Sequence, residues 1–343
     1  NGMQGSFAEL EYAHKKKQTR RDRFLHRIEQ VTPWARLEAV IAPFYGQGRV
    51  GRPPIGLSRM LRMYVVQQCF GLSDEGMEDA LYDSQAIRGF VGIDLSRESA
   101  PDATTLLRFR HLLEQHQLTQ GIFDAINEHL LEQGLMLREG SVVDATIIDA
   151  PCSTKNQRKQ RDAEMHSTKK GNQWYFGMKA HVGVDAQSGL VHTLVTTPAN
   201  TSDVVVGPQL LHGDEQVVYA DAGYVGVEQR MAQESAVTEQ GGTTSRPQWR
   251  VAMRRGKLKA LPDDLYGQVC RRLEYLKSHV RCKVEHVFHV IKNRFGLHKL
   301  RYQGLARNTA QLYTLFGFAN LLLAGRVFAA PRPDGGRCTR IAS

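Results

Sequence analysis

Two acidic residues stand in stretches of the sequence where an unpaired carboxylate would be costly to bury. Asp144 lies inside an alternating, strand-like segment. Asp221 directly follows the apolar run VVYA and lies two residues before Gly223. A buried carboxylate needs a partner that offsets its lost hydration, and a metal cation is one such partner. The apolar neighbours that predict burial of Asp144 are Val142, Val143, Ile147 and Ile148.

A third acid is isolated among cations in the segment 278–296, SHVRCKVEHVFHVIKNRFG. Its apolar residues recur at helical spacing, and Arg281, Glu285 and Lys292 fall within about 60° of one another on the margin of that apolar stripe. Two interpretations stay open. Arg281 and Glu285 could form an ordinary surface ion pair one turn apart, or Glu285 could bind a metal while the two cations face phosphates.

Carboxylates held on rigid elements suit phosphodiester chemistry. Two divalent cations about 3.5–4 Å apart can activate an attacking oxygen and stabilise a leaving one, and hard cations of this kind prefer oxygen ligands. Three other acids compete for the role. Asp149 is an odd number of residues from Asp144 and should point to the opposite face of the strand. Asp185 should initiate a hairpin turn, and Asp203 should cap a helix.

The composition favours a polyanionic partner. The 343 residues carry a net charge of +10 and a pI near 9.4, which is typical of nucleic-acid binding. The five cysteines are scattered, so they suggest neither a disulfide framework nor a zinc site. His181, His192, His286 and His289 show no paired-ligand spacing and are expected to be structural or surface residues. Without an apolar run of about 20 residues, no membrane span is predicted, and we expect a cytoplasmic protein.

The chain divides into a helical first part and a mixed second part. Apolar residues before residue 135 recur at helical spacing, whereas β-branched alternation begins near Gly140. The predicted order is three strands, a helix, a strand, a helix, a strand and a long helix. We therefore expect a helical region at 1–135, an α/β domain at 136–330 with a basic loop at 152–173, and a tail at 331–343.

The order of the acids, Asp on the first strand, Asp after the fourth and Glu on a late helix, resembles the RNase H-like core of DDE transposases. The match is closest to the insertion-sequence-five family of bacterial transposases and runs from about Phe7 to the last helix. Its motifs are VDATIIDAPCSTKN, YFGMKAHVGVDAQSGLVHT, TTPANTSD, YADAGY and the Arg281, Glu285, Lys292 column. At position 278, where the family's helix signature has a tyrosine, this chain has Ser278. Before residue 130, GRPPIGLSRMLRMYVVQQCFGLSDEGMEDAL and PDATTLLRFRHLL resemble the family's DNA-binding region.

The resemblance implies a fold, a cofactor and a reaction. The fold would be a mixed five-stranded RNase H-like sheet flanked by helices and preceded by an all-helical DNA-binding region. Asp144, Asp221 and Glu285 would hold two Mg²⁺ ions, with Mn²⁺ as a substitute. The enzyme would bind the terminal inverted repeats of an insertion sequence, cut at its ends and join the 3′ ends to target DNA, acting as a homodimer at the bacterial nucleoid.

Several cations are candidates for contacts with double-stranded DNA. Arg281 and Lys292 would position phosphates. In the helical region and the loops the further candidates are Arg108, Arg110, Lys155, Arg254 and Arg255, for which a solvated surface is the alternative. Two other functions remain open at this point: a divalent-metal nuclease that cuts without joining, and a transposon-derived protein that binds DNA without cutting it.

Overall fold

The computed structural model describes residues 17–46, 54–155, 159–237 and 247–329. The predicted tail at 331–343 and residues 156–158 of the predicted basic loop lie outside these ranges. The predicted change from helices to strands near Gly140 falls inside them.

Helices fill the described chain before residue 133, as the spacing of apolar residues predicts. Ser73 begins one of them by accepting a hydrogen bond from the Gly76 backbone N–H at 2.9 Å, and Asp102 begins another by accepting one from Thr105, which satisfies amide groups that the helices leave free. The helices are α1 Arg20–Val31, α2 Trp34–Ile41, α3 Leu57–Phe70, α4 Asp74–Asp83, α5 Gln85–Val91, α6 Ala103–Gln115 and α7 Leu118–Glu132.

The second part of the chain is built on one mixed sheet. Its strands are β1 Gly140–Asp149, β2 His166–Lys170, β3 Gln173–Asp185, β4 Val191–Pro198, β5 Val217–Ala220 and β6 Gln248–Val251. The strand order is β2-β3-β1-β5-β6, and β4 also pairs with β3. β1 is antiparallel to β3 and parallel to β5, and β5 is parallel to β6.

Helical segments connect and cover the strands. Between β4 and β6 lie α8 Asp203–Val206, a 3₁₀ turn at Gly207–Leu210, a second at Ala222–Tyr224, and α9 Val227–Val237. After β6 come α10 Arg255–Lys259, α11 Leu265–His289, a π-helical turn at Val290–Arg294, and α12 Leu305–Ala329.

The hydrophobic core joins the two parts of the chain. One continuous cluster of buried side chains runs from Leu25 in α1 to Ala324 in α12 and includes Val142 of β1 and Val287 of α11. α12 packs against α7 and against β4, so the last helix connects the helical region to the sheet. A smaller cluster on the other side of β1 contains Val143 and Tyr224.

The predicted fold class is confirmed, with one strand more than expected. The sheet has six strands because part of the predicted basic loop at 152–173 forms β2, which pairs with residues 173–177 of β3. β2 is entirely polar, HSTKK, so it lacks the apolar alternation by which strands are recognised in a sequence.

Candidate active site

Two of the predicted acids are neighbours on adjacent parallel strands. The register of β1 and β5 ends with Val143 opposite Ala220, so the next residues, Asp144 and Asp221, follow side by side. Neighbouring strands lie about 4.8 Å apart. Asp144 accepts a hydrogen bond from the Ala145 backbone N–H at 2.7 Å, and Asp221 accepts one from Gly223 at 2.7 Å. The two acids are 77 positions apart in the sequence, and the strand register makes them neighbours at the ends of this pairing.

The environment of Asp144 disfavours its negative charge. Burial, and to a smaller extent the nearby charge of Asp221, raise the pKa of this carboxyl from 3.8 to about 6 against the lowering effects of the Ala145 N–H, Arg281 and Lys170. A small part of the residue still reaches solvent. A bound cation would offset both the burial and the repulsion.

A buried tyrosine lies among the acids. Tyr224 is fully buried, and its hydroxyl has no hydrogen-bond partner among the described residues. Burial raises its pKa, as do the charges of Asp203, Asp144 and Asp221. Asp203 therefore lies at the site, although the sequence predicted it to be a helix cap. That prediction is wrong: Ser202 occupies the cap position, and Asp203 receives the Lys179 ammonium at 2.9 Å.

α11 and the π-helical turn that follows it bring two cations to β1. Arg281 lowers the pKa of Asp144, and its buried Nε has no hydrogen-bond partner among the described residues. Lys292, in the π-helical turn, donates to the Ile147 carbonyl oxygen at 3.1 Å. Burial lowers the Lys292 pKa, as does the charge of Lys170, while Asp149 raises it.

Glu285 lies between these two cations in the sequence. It is exposed and follows Arg281 by four residues, so these two side chains leave α11 on the same face. The ligand atoms of Asp144, Asp221 and Glu285 do not all lie within 4.8 Å of one another; among the described residues only His192, His212 and Glu215 form such a group. A single ion would need its ligand atoms this close together, whereas two ions about 3.5–4 Å apart are bound by ligand atoms that are further from one another.

The donor set fits hard divalent cations. All the candidate ligand atoms are carboxylate oxygens, which Mg²⁺ and Mn²⁺ prefer. The pKa of Asp144 is raised mainly because burial removes hydration from its ionised form, and a bound cation would offset that loss.

Of the two other competing acids, Asp185 initiates a turn as predicted. Asp149 lies at the exposed end of β1. Asp185 is buried and accepts hydrogen bonds from the Gln187 N–H at 3.0 Å and the Ser188 hydroxyl at 2.7 Å, which is the turn-initiating arrangement.

Four of the five remaining candidate DNA contacts are exposed, and the fifth, Arg110, is bound to other side chains of the protein. Arg108, Lys155, Arg254 and Arg255 are exposed. Arg254 lines a cleft of about 380 Å³ together with Val225, four residues after Asp221. Arg110 is engaged inside the protein, since it pairs with Asp74 at 3.0 Å and stacks over the Tyr302 ring at 4.4 Å.

Sequence reasoning missed several side chains at the site: Lys170, Lys179 and Tyr224. Lys170 ends β2, and the Lys-Lys-Gly-Asn sequence from 169 to 172 is a turn signal that could have suggested a hairpin there. No comparable signal marks Lys179 or Tyr224, because tertiary contacts alone bring them to the acids.

An RNase H-like core with paired carboxylates beside a basic helix defines a class of enzymes that act on polynucleotides. Residues 136–321 match the family model described as "Transposase DDE domain", and residues 13–112 match "Transposase domain (DUF772)". The chain belongs to the family of DDE transposases. Its general activity is that of a DNA transposase: it binds DNA, cleaves it and transfers strands in dependence on a divalent metal.

In the described part of the chain, none of the helices combines the length and apolar character needed to cross a membrane.

Proposed function

We propose that this chain is the transposase of an insertion sequence of the insertion-sequence-five family. It binds the terminal inverted repeats of the element, cuts the DNA at both ends and joins the freed 3′ ends to target DNA. The observation that carries the proposal is the pairing of Asp144 with Asp221 across β1 and β5, on strands against which the helix of Glu285 packs.

The three acids share one task in this proposal, which is to bind divalent cations. Asp144, Asp221 and Glu285 would hold two Mg²⁺ ions, or Mn²⁺ in their place, and such ions would supply activation of the attacking oxygen and stabilisation of the leaving oxygen. Asp144 must lose its proton to bind a cation, and its pKa of about 6 predicts that cation binding weakens as the pH falls through that value. Tyr224 supplies a buried hydroxyl that can donate to one of the surrounding carboxylates and hold it in place.

Cations beside the acids position the DNA backbone. The unpartnered Nε of Arg281 can donate to a phosphate oxygen, and Lys292 adds a positive charge further along the same side of the site. Such contacts orient the substrate without reading its sequence. Arg281 and Lys292 are thus positioning groups for the scissile strand.

The DNA away from the cleavage point is held by exposed cations on other elements. We assign this role to Arg108, Lys155, Arg254 and Arg255, and we omit Arg110 because its guanidinium is held by Asp74 and Tyr302. The helical region up to residue 135 is the proposed DNA-binding region, with the catalytic domain at 136–330. Because the substrate is chromosomal DNA, we propose that the enzyme acts at the bacterial nucleoid.

Joining two ends in one event requires two active sites, so we propose a homodimer as the working form. Light scattering of the chain mixed with end DNA should give the mass of two chains and two DNA ends. A complex of one chain with one end, at all protein concentrations that support joining, contradicts the homodimer.

The reaction is tested with a donor plasmid carrying the element's own ends, a target plasmid and Mg²⁺. The wild-type chain should yield joined products. Glu285→Gln should bind the ends in a mobility-shift assay but neither cut nor join them, whereas His286→Gln, at the next and also exposed position of α11, should act like wild type. Undiminished joining by Glu285→Gln refutes the assignment of Glu285, and cutting without joining by wild type supports the nuclease.

A further inference from the structure

A second group of metal-ligating side chains is buried at the other end of β1 and β5. His192 belongs to β4, and His212 and Glu215 lie in the segment between the 3₁₀ turn Gly207–Leu210 and β5. Ser141, near the start of β1, completes the group. Asp144 follows Ser141 by three residues, roughly 10 Å along the strand, and Asp221 lies six residues after Glu215. The group is therefore separate from the catalytic acids.

Three distances within this group are close to the ligand separations of a tetrahedral metal site. His192 Nε2 is 2.9 Å from Ser141 Oγ, Ser141 Oγ is 3.1 Å from Glu215 Oε1, and His212 Nε2 is 3.3 Å from Glu215 Oε1. The ligand atoms of His192, His212 and Glu215 all lie within 4.8 Å of one another. Four ligands each about 2.0–2.1 Å from a tetrahedral ion are separated from one another by about 3.3 Å.

One nitrogen in the group lacks a partner. His212 Nε2 is buried and makes no hydrogen bond with any described residue, although it lies 3.3 Å from a carboxylate oxygen. A hydrogen-bonded network that served packing alone would be expected to satisfy this atom. An ion between His212 and Glu215 would supply the missing interaction.

The surrounding groups hold the ligands as outer contacts of metal sites commonly do. His192 Nδ1 lies 2.9 Å from the Thr193 hydroxyl. His212 Nδ1 accepts a hydrogen bond from the Asp214 backbone N–H at 3.3 Å and lies 3.9 Å from the Asp214 carboxylate. Glu215 is fixed by the backbone N–H groups of His212 at 2.8 Å and Gly213 at 2.9 Å. His192 can present the Nε2 lone pair to an ion while its Nδ1 faces the Thr193 hydroxyl. For His212 to do the same, its ring must carry the proton on Nδ1, facing the Asp214 carboxylate, in place of the hydrogen bond that Nδ1 accepts from the Asp214 N–H.

The backbone of β3 leaves room for one of these rings. A Cβ atom at Gly183 would lie 2.6 Å from His192 Cε1 and 2.3 Å from the Leu210 carbonyl oxygen. The strand pairing of β3 and β4 is also irregular between Gly183 and Val184. This position therefore accommodates the His192 ring only when it is glycine.

We propose that His192, His212 and Glu215, with the Ser141 hydroxyl on the fourth side, form a structural Zn²⁺ site. Two imidazoles and one carboxylate suit Zn²⁺, whereas Mg²⁺ prefers an all-oxygen octahedral shell. The site is closed, since Ser141, His192 and Glu215 are buried. The ion connects β1, β4 and the segment leading into β5, and so fixes the strand pair on which the catalytic acids lie.

Metal analysis of the full chain provides the test. After equilibration with Zn²⁺ and removal of excess metal, wild type should retain about one zinc per chain, and Co²⁺ in its place should show the strong visible absorption of a tetrahedral site. His212→Gln should weaken Zn²⁺ binding about 100-fold or more and remove the Zn²⁺-dependent rise in melting temperature. His129→Gln, which changes a histidine outside the group, should behave as wild type.

A catalytic-site variant separates this proposal from the proposed function. Asp144→Asn should lose DNA cleavage but keep the tetrahedral Co²⁺ spectrum of wild type. The proposal is overturned when wild type retains no zinc and shows no tetrahedral Co²⁺ spectrum. It is equally overturned when Zn²⁺ binding survives His212→Gln but is lost in Asp144→Asn, because the ion would then sit at the catalytic acids.

Discussion

Replacing Asp144 by asparagine should stabilise the metal-free protein at neutral pH. The folded state raises the pKa of this carboxyl from 3.8 to about 6, so between these values the folded chain holds a proton that the unfolded chain releases. Stability then falls as the pH rises through this window. At about 1.36 kcal/mol for each tenfold change in proton affinity, ionised Asp144 costs the folded state up to about 3 kcal/mol above pH 6.

Asparagine keeps the acceptor for the Ala145 N–H and removes the charge. In EDTA at pH 7.5, Asp144→Asn should unfold at higher urea than wild type, by up to about 3 kcal/mol in the free energy of unfolding, and the difference should vanish below about pH 4. Tryptophan fluorescence from Trp34, Trp174 and Trp249 reports the transition. Mg²⁺ should stabilise wild type and leave the variant unchanged.

Asp149→Asn is the matched control, because it removes a carboxylate from the exposed end of the same strand. Its stability should differ from that of wild type by no more than about 0.5 kcal/mol. The reasoning is refuted when Asp144→Asn is no more stable than wild type in EDTA at pH 7.5, or when its advantage is the same at pH 4 and pH 7.5.

Three further pairs of substitutions test the fold and the DNA surface. Gly177→Ala would place a Cβ atom 2.1 Å from the Ile148 carbonyl oxygen and should lower the unfolding free energy by roughly 3 kcal/mol. Gly89→Ala has open space around it and should leave the unfolding free energy unchanged. Equal urea midpoints for the two variants would contradict the close approach of β1 and β3 at Gly177. Asp264→Ala removes the acceptor for the Gly267 N–H that begins α11 and should cost about 1 kcal/mol, with Asp264→Asn retaining the cap; a loss equal in both variants would exclude capping as the cause. Arg110→Ala should cost about 1–2 kcal/mol of stability because it removes the contacts with Asp74 and Tyr302. Arg108→Ala should leave stability unchanged and reduce the salt dependence of DNA binding by about one phosphate contact. The reverse pattern would show that Arg110 contacts DNA and that Arg108 stabilises the fold.

Local patterns were sufficient to predict much of the fold. The strand around Asp144 and the helix around Glu285 are periodic over ten residues or more, and the turn at Asp185 depends on a side chain bonding to its own neighbours. Such features are encoded by adjacent residues, so they can be recognised in one sequence. The pairing of Asp144 with Asp221 became visible only with the register of β1 and β5.

Tertiary contacts account for what the sequence did not reveal. Asp203 has the residue type of a helix cap, but the ammonium of Lys179, twenty-four positions earlier, binds its carboxylate. His192 and His212 are twenty residues apart and match no metal-binding motif, so their proximity depends on how β4 and the segment before β5 pack. β2 forms because β3 provides a partner, and its own sequence is polar.

The central claim is that Asp144, Asp221 and Glu285 share divalent cations, and exchanging one ligand for a softer one tests it directly. Glu285→Cys should show no end joining in Mg²⁺ and should regain part of it in Mn²⁺, because a thiolate binds Mn²⁺ better than Mg²⁺, while wild type should join ends in both. Full joining by Glu285→Cys in Mg²⁺ alone would contradict the claim that Glu285 binds the metal.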